Sequence, residues 1–416
     1  MGAFWTSLKE HLMKAVVFHG IGDIRLDNVP EPRLERPDDA IVRLTSSAIC
    51  GTDLHMVRGT LSDMQPGTIL GHEGVGVVEE IGAHVRNLRK GERVVIPSTI
   101  GCGYCSYCRA GYYAQCDHAN PNGPFAGTAF FGGPKGSGPF QGLQAEYARI
   151  PYAQVGPVIL PDSISDNQAI LLSDIFPTGY FGAKLAAVKG GDVVAVFGCG
   201  PVGQFTIASC KLLNAGRIFA IDKVPSRLEM AQRQGAEVIN FNDEDPVAVL
   251  RDMTGGIGPE CVIDAVGIDA EVASGGPAHE HGKGREAMLA KELQEIAPHM
   301  HPVDGNWHPG SGPSQALHWA VESVAKAGRV AIIGVYPPAD RFFPIGLAMN
   351  KNLRLTMGNC NHRAYLPELI QLVRTGAIDP SAVLTQQREL VGALDAYKAF
   401  DKRTDGWMKV GLKLAS

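Results

Sequence analysis

The first third of the chain alternates apolar and polar residues over short segments. Examples are residues 13–18, 40–44 and 74–79, which are separated by Gly, Pro and Asp. Alternation with a period of two is typical of strands that bury one face. Up to about Ile150, the pattern therefore predicts a β-rich region of many short strands.

Beyond this region, helical and strand-like segments alternate. The apolar run 192–197 is followed by a helical segment, 204–213, and by a second apolar run, 217–221. Strand, helix and strand in this order form a βαβ unit with parallel strands. With the later apolar runs at 261–267 and 329–334, the pattern predicts an α/β fold with a doubly wound parallel sheet.

Residues 268–315 interrupt this alternation. The segment is rich in Gly, Pro and His and contains one predicted helix, at 285–296. We interpret it as an insertion, which on composition alone is typical of a solvated surface loop. A predicted helix at 365–375 and a strand at 409–413 end the fold.

A glycine-rich turn joins the first α/β strand to its helix. Gly198, Gly200 and Gly203 fit the pattern G-x-G-x-x-G. The first glycine permits the tight turn, the second lets a pyrophosphate approach the backbone, and the third allows close packing of helix on strand. The alternative is a turn without a ligand, but the preceding strand and the following helix favour a dinucleotide site.

Asp222, at the end of the second strand, bears on which dinucleotide binds. Its carboxylate can accept hydrogen bonds from ribose hydroxyls and would repel a 2′-phosphate, which favours NAD over NADP. Lys223 and Arg227 follow closely and would pair with a phosphate if Asp222 turned away.

Four cysteines lie close together in the β-rich region: Cys102, Cys105, Cys108 and Cys116. Four thiolates on tight turns can surround one tetrahedral zinc, and a site filled by four sulfurs is structural. Two disulfides are the alternative, but cysteines so close in sequence bridge poorly. An iron–sulfur cluster is disfavoured by the long last gap and by the absence of Pro after Cys116.

Composition narrows the class of protein. A chain of 416 residues is too long for one ordinary core, so two domains are expected. The net charge of -5, without a Lys/Arg cluster, argues against binding to nucleic acid or to an anionic membrane surface and leaves a small molecule as the expected partner. Strand-sized apolar runs and scattered cysteines without a signal-peptide pattern predict a soluble, cytoplasmic protein. Residues 1–12 are assigned no role.

Two further short motifs lie in the β-rich region, before the four cysteines. C-G-T-D-L-H occupies residues 50–55, and G-H-E occupies residues 71–73. In this order, with the cysteine cluster and the glycine-rich turn, they resemble the zinc-containing medium-chain alcohol dehydrogenases over nearly the whole chain. Residues 172–180 and the insertion are most similar to the branch of the glutathione-independent formaldehyde dehydrogenases and formaldehyde dismutases.

The resemblance implies a fold and a reaction. The expected fold is a GroES-like domain at 1–174, completed by 361–416, and a Rossmann domain at 175–360. The expected activity is a hydride transfer between an alcohol or aldehyde and NAD, in a homodimer or homotetramer. One alternative is aldehyde dismutation with retained NAD. The other is a dinucleotide-binding relic without catalysis.

The resemblance also implies a catalytic zinc, which needs three protein ligands and an open position. Cys50 and His72 supply two ligands, and Asp174 stands where most of the family has a third cysteine. Taken singly, these three residues also fit a core thiol, a satisfied buried histidine and a helix N-cap. Glu73 is expected either to coordinate the metal transiently or to form an ordinary buried ion pair.

Further roles follow from the same resemblance. Thr52 matches the position that contacts the substrate oxygen, and His55 the residue that passes the proton toward solvent. Beside the glycines, Asp222, Lys223 and Arg227, we assign to the cofactor Thr178, Pro201, Val202, Val266, Gly267, Gly334 and Val335.

Two further expectations concern the surroundings of the site. The insertion is expected to cover the adenine end of NAD and to slow its release, as in the formaldehyde dehydrogenase branch. Phe125, Phe130, Phe131 and Phe176 are candidates for the pocket by position, with ordinary core packing as the alternative.

Overall fold

The computed structural model describes residues 11–120, 122, 127–338 and 340–414. The strands of its N-terminal part, in chain order, are β1 (Leu12–Gly20), β2 (Asp23–Pro30), β3 (Ala40–Ile49), β4 (Thr68–Ile69), β5 (Gly74–Ile81), β6 (Arg93–Ile96), β7 (Tyr147–Ile150) and β8 (Val158–Ile159). The helices of this part are α1 (Gly51–Arg58) and α2 (Ser106–Arg109). The alternating pattern thus marked β1, β3 and β5 correctly.

The middle of the chain alternates helices and strands. Its helices are α3 (Asp166–Ser173), α4 (Ile175–Leu185), α5 (Pro201–Leu212), α6 (Pro225–Arg233), α7 (Pro246–Asp252), α8 (Gly276–Gly282), α9 (Glu286–Ile296), α10 (Gln315–Ser323) and α11 (Ile345–Asn350). Its strands are β9 (Val193–Phe197), β10 (Arg217–Asp222), β11 (Glu237–Asn240), β12 (Cys261–Asp264), β13 (Arg329–Ile332) and β14 (Arg354–Met357).

The end of the chain returns to the sheet of its beginning. Its elements are α12 (His362–Arg374), β15 (Gln386–Glu389), α13 (Ala393–Asp401) and β16 (Val410–Lys413). β16 pairs antiparallel with β3, in the sheet of order β15-β16-β3-β5-β6-β8, and β7 also pairs with β3. We call these strands, with the separate sheet β2-β1-β4, the β-rich part.

The six strands from β9 to β14 form one parallel sheet, which with its helices we call the α/β part. The order of the sheet is β11-β10-β9-β12-β13-β14. The strand order reverses between β9 and β12, and a doubly wound sheet binds ligands in the crevice at that point. The predicted fold class is confirmed.

Two predictions of local structure need correction. The run 261–267 is predicted to be one strand, but β12 ends at Asp264, whose Oδ1 accepts the backbone N–H groups of Val266 and Gly267 at 2.9 and 3.1 Å. A short 3-10 turn then begins at Gly267, which has a φ of 68°. The insertion contains two helices rather than one. α8 lacks a helical apolar repeat and contains Gly and Pro, so the pattern gave no sign of it.

The insertion joins the two parts of the molecule. Trp307 is 3% exposed and packs in the core of the β-rich part. Its backbone N–H donates to Asp401 Oδ2 at 2.7 Å, and Asn306 Nδ2 donates to the carbonyl oxygen of Lys398 at 2.7 Å. The segment is therefore anchored to α13 rather than free in solvent. Among the described residues, no helix has the length and apolar character to cross a bilayer.

Candidate metal and dinucleotide site

One cavity of about 850 Å³ runs between the β-rich part and the α/β part. Cys50, His72 and Asp174 line one region of it, and Gly198 and Asp222 line another. Its volume lies within the range of ordinary ligand and cofactor sites. The residues predicted for a metal and those predicted for a dinucleotide therefore share one space.

Three potential metal donors converge in this cavity from separate elements. Cys50 precedes α1, His72 follows β4, and Asp174 lies between α3 and α4. Asp174 Oδ2 is 3.7 Å from Cys50 Sγ and 3.2 Å from His72 Nε2. One ligand atom from each of these residues and from Glu73 lies within 4.8 Å of the others.

Asp53 orients two of the donors. It accepts the backbone N–H of Cys50 at 2.9 Å and lies 3.1 Å from His72 Nδ1. A carboxylate on the far nitrogen of a histidine is the usual support of a metal-ligating imidazole, because it leaves Nε2 to face the metal. Burial lowers the pKa of His72, but the charges of Asp53 and Cys50 outweigh it and raise that pKa well above its usual value.

Glu73 forms a buried ion pair with Lys409. The distance between Glu73 Oε2 and Lys409 Nζ is 2.6 Å, and both side chains are 0% exposed. Lys409 Nζ also donates to the carbonyl oxygen of Ile49 at 3.0 Å. The ordinary ion pair is therefore present, while transient coordination by Glu73 stays a prediction.

Thr52 and His55 lie on one face of α1 and both line the cavity. His55 is only 3% exposed, so its ring is not open to solvent in this structure. Its Nδ1 lies 3.0 Å from Thr60 Oγ1 and 3.9 Å from Asp269 Oδ1. Burial lowers the pKa of His55, although Asp269 opposes the shift. The roles of both residues in proton transfer stay predictions.

The four-cysteine cluster lies apart from this cavity. One ligand atom of each cysteine lies within 4.8 Å of the others, and Cys105 Sγ and Cys116 Sγ are 4.0 Å apart. A disulfide would need about 2 Å between its two sulfurs, and all four cysteines are free, so the alternative of two disulfides is wrong. Backbone N–H groups of Cys102 and Ala119 donate to Cys116 Sγ at 3.2 and 3.3 Å, which favours a thiolate.

The glycine-rich turn has the close packing that its pattern predicts. Gly198 has a φ of 89°, and a Cβ there would lie 2.4 Å from Val266 Cγ2. A Cβ at Gly203 would lie 1.9 Å from the carbonyl oxygen of Gly198. A Cβ at Gly267 would lie 2.4 Å from the backbone nitrogen of Val335. Gly203 and Gly267 do not line the cavity and are therefore packing positions. The other residues assigned to the cofactor line it: Thr178, Gly198, Gly200, Pro201, Val202, Asp222, Lys223, Arg227, Val266, Gly334 and Val335.

Asp222 is fixed by backbone donors. Its Oδ2 accepts the N–H of Cys199 at 2.8 Å, and its Oδ1 accepts those of Lys223 and Val224 at 2.7 and 3.0 Å. Arg227 Nη1 lies 3.9 Å from Oδ2. The carboxylate therefore sits at the end of β10 beside the glycine-rich turn, where a ribose is expected.

Comparison with known proteins identifies the family. Residues 36–162 match the description "Alcohol dehydrogenase GroES-like domain", and residues 201–294 match "Zinc-binding dehydrogenase". An uncharacterized zinc-type alcohol dehydrogenase-like protein of Bacillus subtilis (strain 168) is 37% identical over 405 residues, 96% of this chain and 100% of that relative. The chain belongs to the zinc-type medium-chain alcohol dehydrogenase family.

Further relatives agree with this membership. The solved structure of an alcohol dehydrogenase from Thermus sp. ATN1 is 33% identical with a TM-score of 0.78, and the match covers 97% of this chain and 100% of that one. The glutathione-independent formaldehyde dehydrogenase of Pseudomonas aeruginosa (strain LESB58) is 36% identical over 294 residues, 68% of this chain and 71% of that enzyme. The formaldehyde dehydrogenase branch is thus represented by a partial match.

The donor set in the cavity fits the metal named in the family description. Thiolate, imidazole and carboxylate are all zinc ligands, and Cys50, His72 and Asp174 bring one of each to a common point. In the second cluster, the four sulfurs fit a closed tetrahedral site. The donor residues of both clusters are buried, and those of the first cluster face the cavity.

His362 is a residue of the site that the sequence analysis missed. Its Nε2 lies 2.6 Å from Asp174 Oδ1, and its Nδ1 lies 3.1 Å from Thr99 Oγ1. Thr178 Oγ1 donates to the same Asp174 oxygen at 2.9 Å, so Thr178 supports Asp174 directly. His362 follows shortly after β14, and the carboxyl end of a parallel strand is the one signal that could have indicated it.

The aromatic candidates divide between pocket and core. Phe130 lines the cavity, and its ring centroid is 6.1 Å from that of His72 in an edge-on contact. Phe131 and Phe176 are core residues, 2% and 0% exposed. Phe125 lies outside the described residues.

Proposed function

We propose that the chain is a zinc- and NAD-dependent oxidoreductase that transfers a hydride between a small alcohol or aldehyde and the nicotinamide. The observation that carries the proposal is the shared cavity, in which the Cys50, His72 and Asp174 donors and the glycine-rich turn at Gly198 meet. Family membership supports the reaction class. The partial match to a formaldehyde dehydrogenase supports a short aldehyde or alcohol as substrate.

In this proposal, Cys50, His72 and Asp174 hold a catalytic zinc, and the cysteine cluster holds a structural one. When bound, zinc would supply a Lewis acid for an alcohol or carbonyl oxygen, and NAD a hydride acceptor. Asp53 keeps His72 in the tautomer that ligates through Nε2. His362 and Thr178 hold the other oxygen of Asp174, which fixes the direction of the carboxylate.

The proton is handled by residues of α1. Thr52 lines the cavity two residues after Cys50, so its hydroxyl can take part in a hydrogen bond with the substrate oxygen. Thr60 donates its hydroxyl to the His55 carbonyl oxygen at 3.2 Å, so Nδ1 of His55 carries a proton toward Thr60 Oγ1. This leaves Nε2 of a neutral His55 to accept a proton from the cavity.

The organisation of the chain is part of the same proposal. A GroES-like domain at 1–174 is completed by 361–416, and a Rossmann domain spans 175–360. We also propose a homodimer or homotetramer in the cytoplasm, which sedimentation analysis and cell fractionation test.

The proposal is tested on purified, zinc-loaded protein with short alcohols and aldehydes, with and without added NAD. We expect NADH formation from an alcohol, and loss of that signal in Cys50→Ala. Aldehyde conversion to equal amounts of acid and alcohol without added NAD would instead show the dismutase. Binding of NAD with no turnover of any substrate would indicate the non-catalytic alternative and contradict the proposal.

A further inference from the structure

Positive side chains gather at the Asp222 end of the cavity. The charged residues that line it there and toward α1 are Arg58, Asp222, Lys223, Arg227, Asp269, Glu271 and Arg403. Burial lowers the pKa of Lys223, and the charge of Arg403 acts in the same direction. The cations therefore repel one another and depend on the neighbouring carboxylates.

Glu271 lies between two of these cations. It belongs to the start of the insertion, while Lys223 follows β10 and Arg403 follows α13. One carboxylate oxygen, Oε2, forms an ion pair with Lys223 Nζ, and the other, Oε1, forms one with Arg403 Nη1. The three side chains are 20% to 28% exposed, so water screens these interactions only in part.

The other carboxylates of the region are engaged elsewhere. Asp222 accepts three backbone N–H groups, and Arg58 Nη1 donates to Asp269 Oδ1 at 2.7 Å. Arg403 reaches Asp269 only at 3.9 Å from Oδ2, besides a bond to its carbonyl oxygen at 3.1 Å. Among the described residues, Glu271 is therefore the one carboxylate within ion-pair distance of both Lys223 and Arg403, while Asp222 and Asp269 act on them from farther away.

This arrangement has a consequence for the choice of nucleotide. A 2′-phosphate carries about two negative charges at neutral pH and binds where Lys and Arg side chains can reach it. Free Lys223 and Arg403 beside Asp222 would provide such a site. Glu271 forms ion pairs with both cations, and its negative charge repels the phosphate.

We propose that Glu271 is a specificity-determining residue which, by holding Lys223 and Arg403, makes the adenosine end of the cavity reject a 2′-phosphate. The proposal rests on the proposed function, because it concerns the same dinucleotide site. Because Glu271 belongs to the insertion, the insertion takes part in the choice of cofactor through a residue outside the glycine-rich turn.

The test measures binding of two probes, 5′-AMP and adenosine 2′,5′-bisphosphate, by titration calorimetry on the full chain. The probes differ only in the 2′-phosphate. Glu271→Gln keeps the shape of the side chain and removes its charge. We expect it to tighten the binding of the bisphosphate ~10-fold while 5′-AMP stays within ~2-fold, a change that charge interactions at partly buried sites readily supply.

Three further variants separate this effect from others. Glu280→Gln changes the net charge equally at an exposed residue of α8 that pairs with Lys283, and should leave the ratio of the two dissociation constants unchanged. Glu271→Asp keeps the charge and should retain rejection of the bisphosphate. Adding Lys223→Met to Glu271→Gln should remove most of the gain.

The outcomes are distinct. Suppose that 5′-AMP binds, but that the ratio of its dissociation constant to that of the bisphosphate is the same in Glu271→Gln as in the wild type. The role of Glu271 is then overturned and the proposed function stands. The same conclusion follows if this ratio rises equally in Glu280→Gln. If the folded wild-type protein binds neither probe, the dinucleotide site itself is wrong and both proposals fail.

Discussion

Loss of Lys409 should destabilise the protein strongly, because its partner Glu73 would remain buried without a counter-charge. Both side chains are 0% exposed and lie 2.6 Å apart. Removing one partner of a buried ion pair costs about 3–5 kcal/mol. We expect Lys409→Met to lose about this much free energy of unfolding, and Lys409→Met with Glu73→Gln to recover most of it.

The pH dependence gives a second readout. Burial raises the pKa of Glu73 even though Lys409 opposes the shift, and without Lys409 the rise should be larger. A carboxyl group whose pKa is higher in the folded state stabilises the fold while protonated, and this stabilisation is lost as pH rises through that pKa. The deficit of Lys409→Met should therefore be greater at about pH 8 than at about pH 5.

The assay is urea unfolding followed by circular dichroism, on protein of equal zinc content. Lys90→Met is the matched control, because Lys90 is 75% exposed and lies 3.5 Å from Glu79, where the expected effect is about 0–1 kcal/mol. If Lys409→Met loses no more free energy of unfolding than Lys90→Met, the buried pair does not act as described. The same follows if the double variant recovers none of that free energy.

Three other changes test separate parts of the site. His362→Ala should weaken zinc binding at the Asp174 site about 10- to 100-fold, because it removes a support of a ligand, and competition with a chelator measures this; unchanged affinity would contradict the role of His362. Asp222→Ser should reduce the ratio of the dissociation constant of NADP to that of NAD. A wild-type protein that binds NADP more tightly than NAD would show the interpretation of Asp222 to be wrong. Replacing residues 276–296 with a Gly-Ser bridge tests the predicted cover over the cofactor: we expect faster NAD release in stopped-flow exchange. Equal rates would leave α8 and α9, which do not line the cavity, without that role.

The parts of the fold that the sequence predicted well are those encoded locally. β9, the glycine-rich turn and α5 follow one another in the chain, so apolar periodicity and the three glycines sufficed to place them. The cysteine cluster was equally clear, since its four sulfurs come from one short loop. Asp174 was different, because only the resemblance to a family singled it out from other acidic residues.

The contacts that escaped prediction join distant parts of the chain. His362 meets Asp174 across 188 positions, and Arg58 meets Asp401 across 343. Such pairs form only when α12 and α13, near the end of the chain, pack against earlier elements, and no local spacing in the sequence indicates that packing. The same holds for Glu271, because its partner Lys223 follows β10 and its partner Arg403 follows α13.

Metal analysis of active protein shows directly whether both donor clusters hold zinc. We predict two zinc ions per chain, one for each cluster of donors. Cys50→Ala should retain one zinc and a folded chain without hydride transfer, whereas Cys105→Ala should lose the structural zinc and unfold the surrounding loop at lower temperature. Full activity in wild-type protein with one zinc or none would show that at least one of the two zinc sites is wrong.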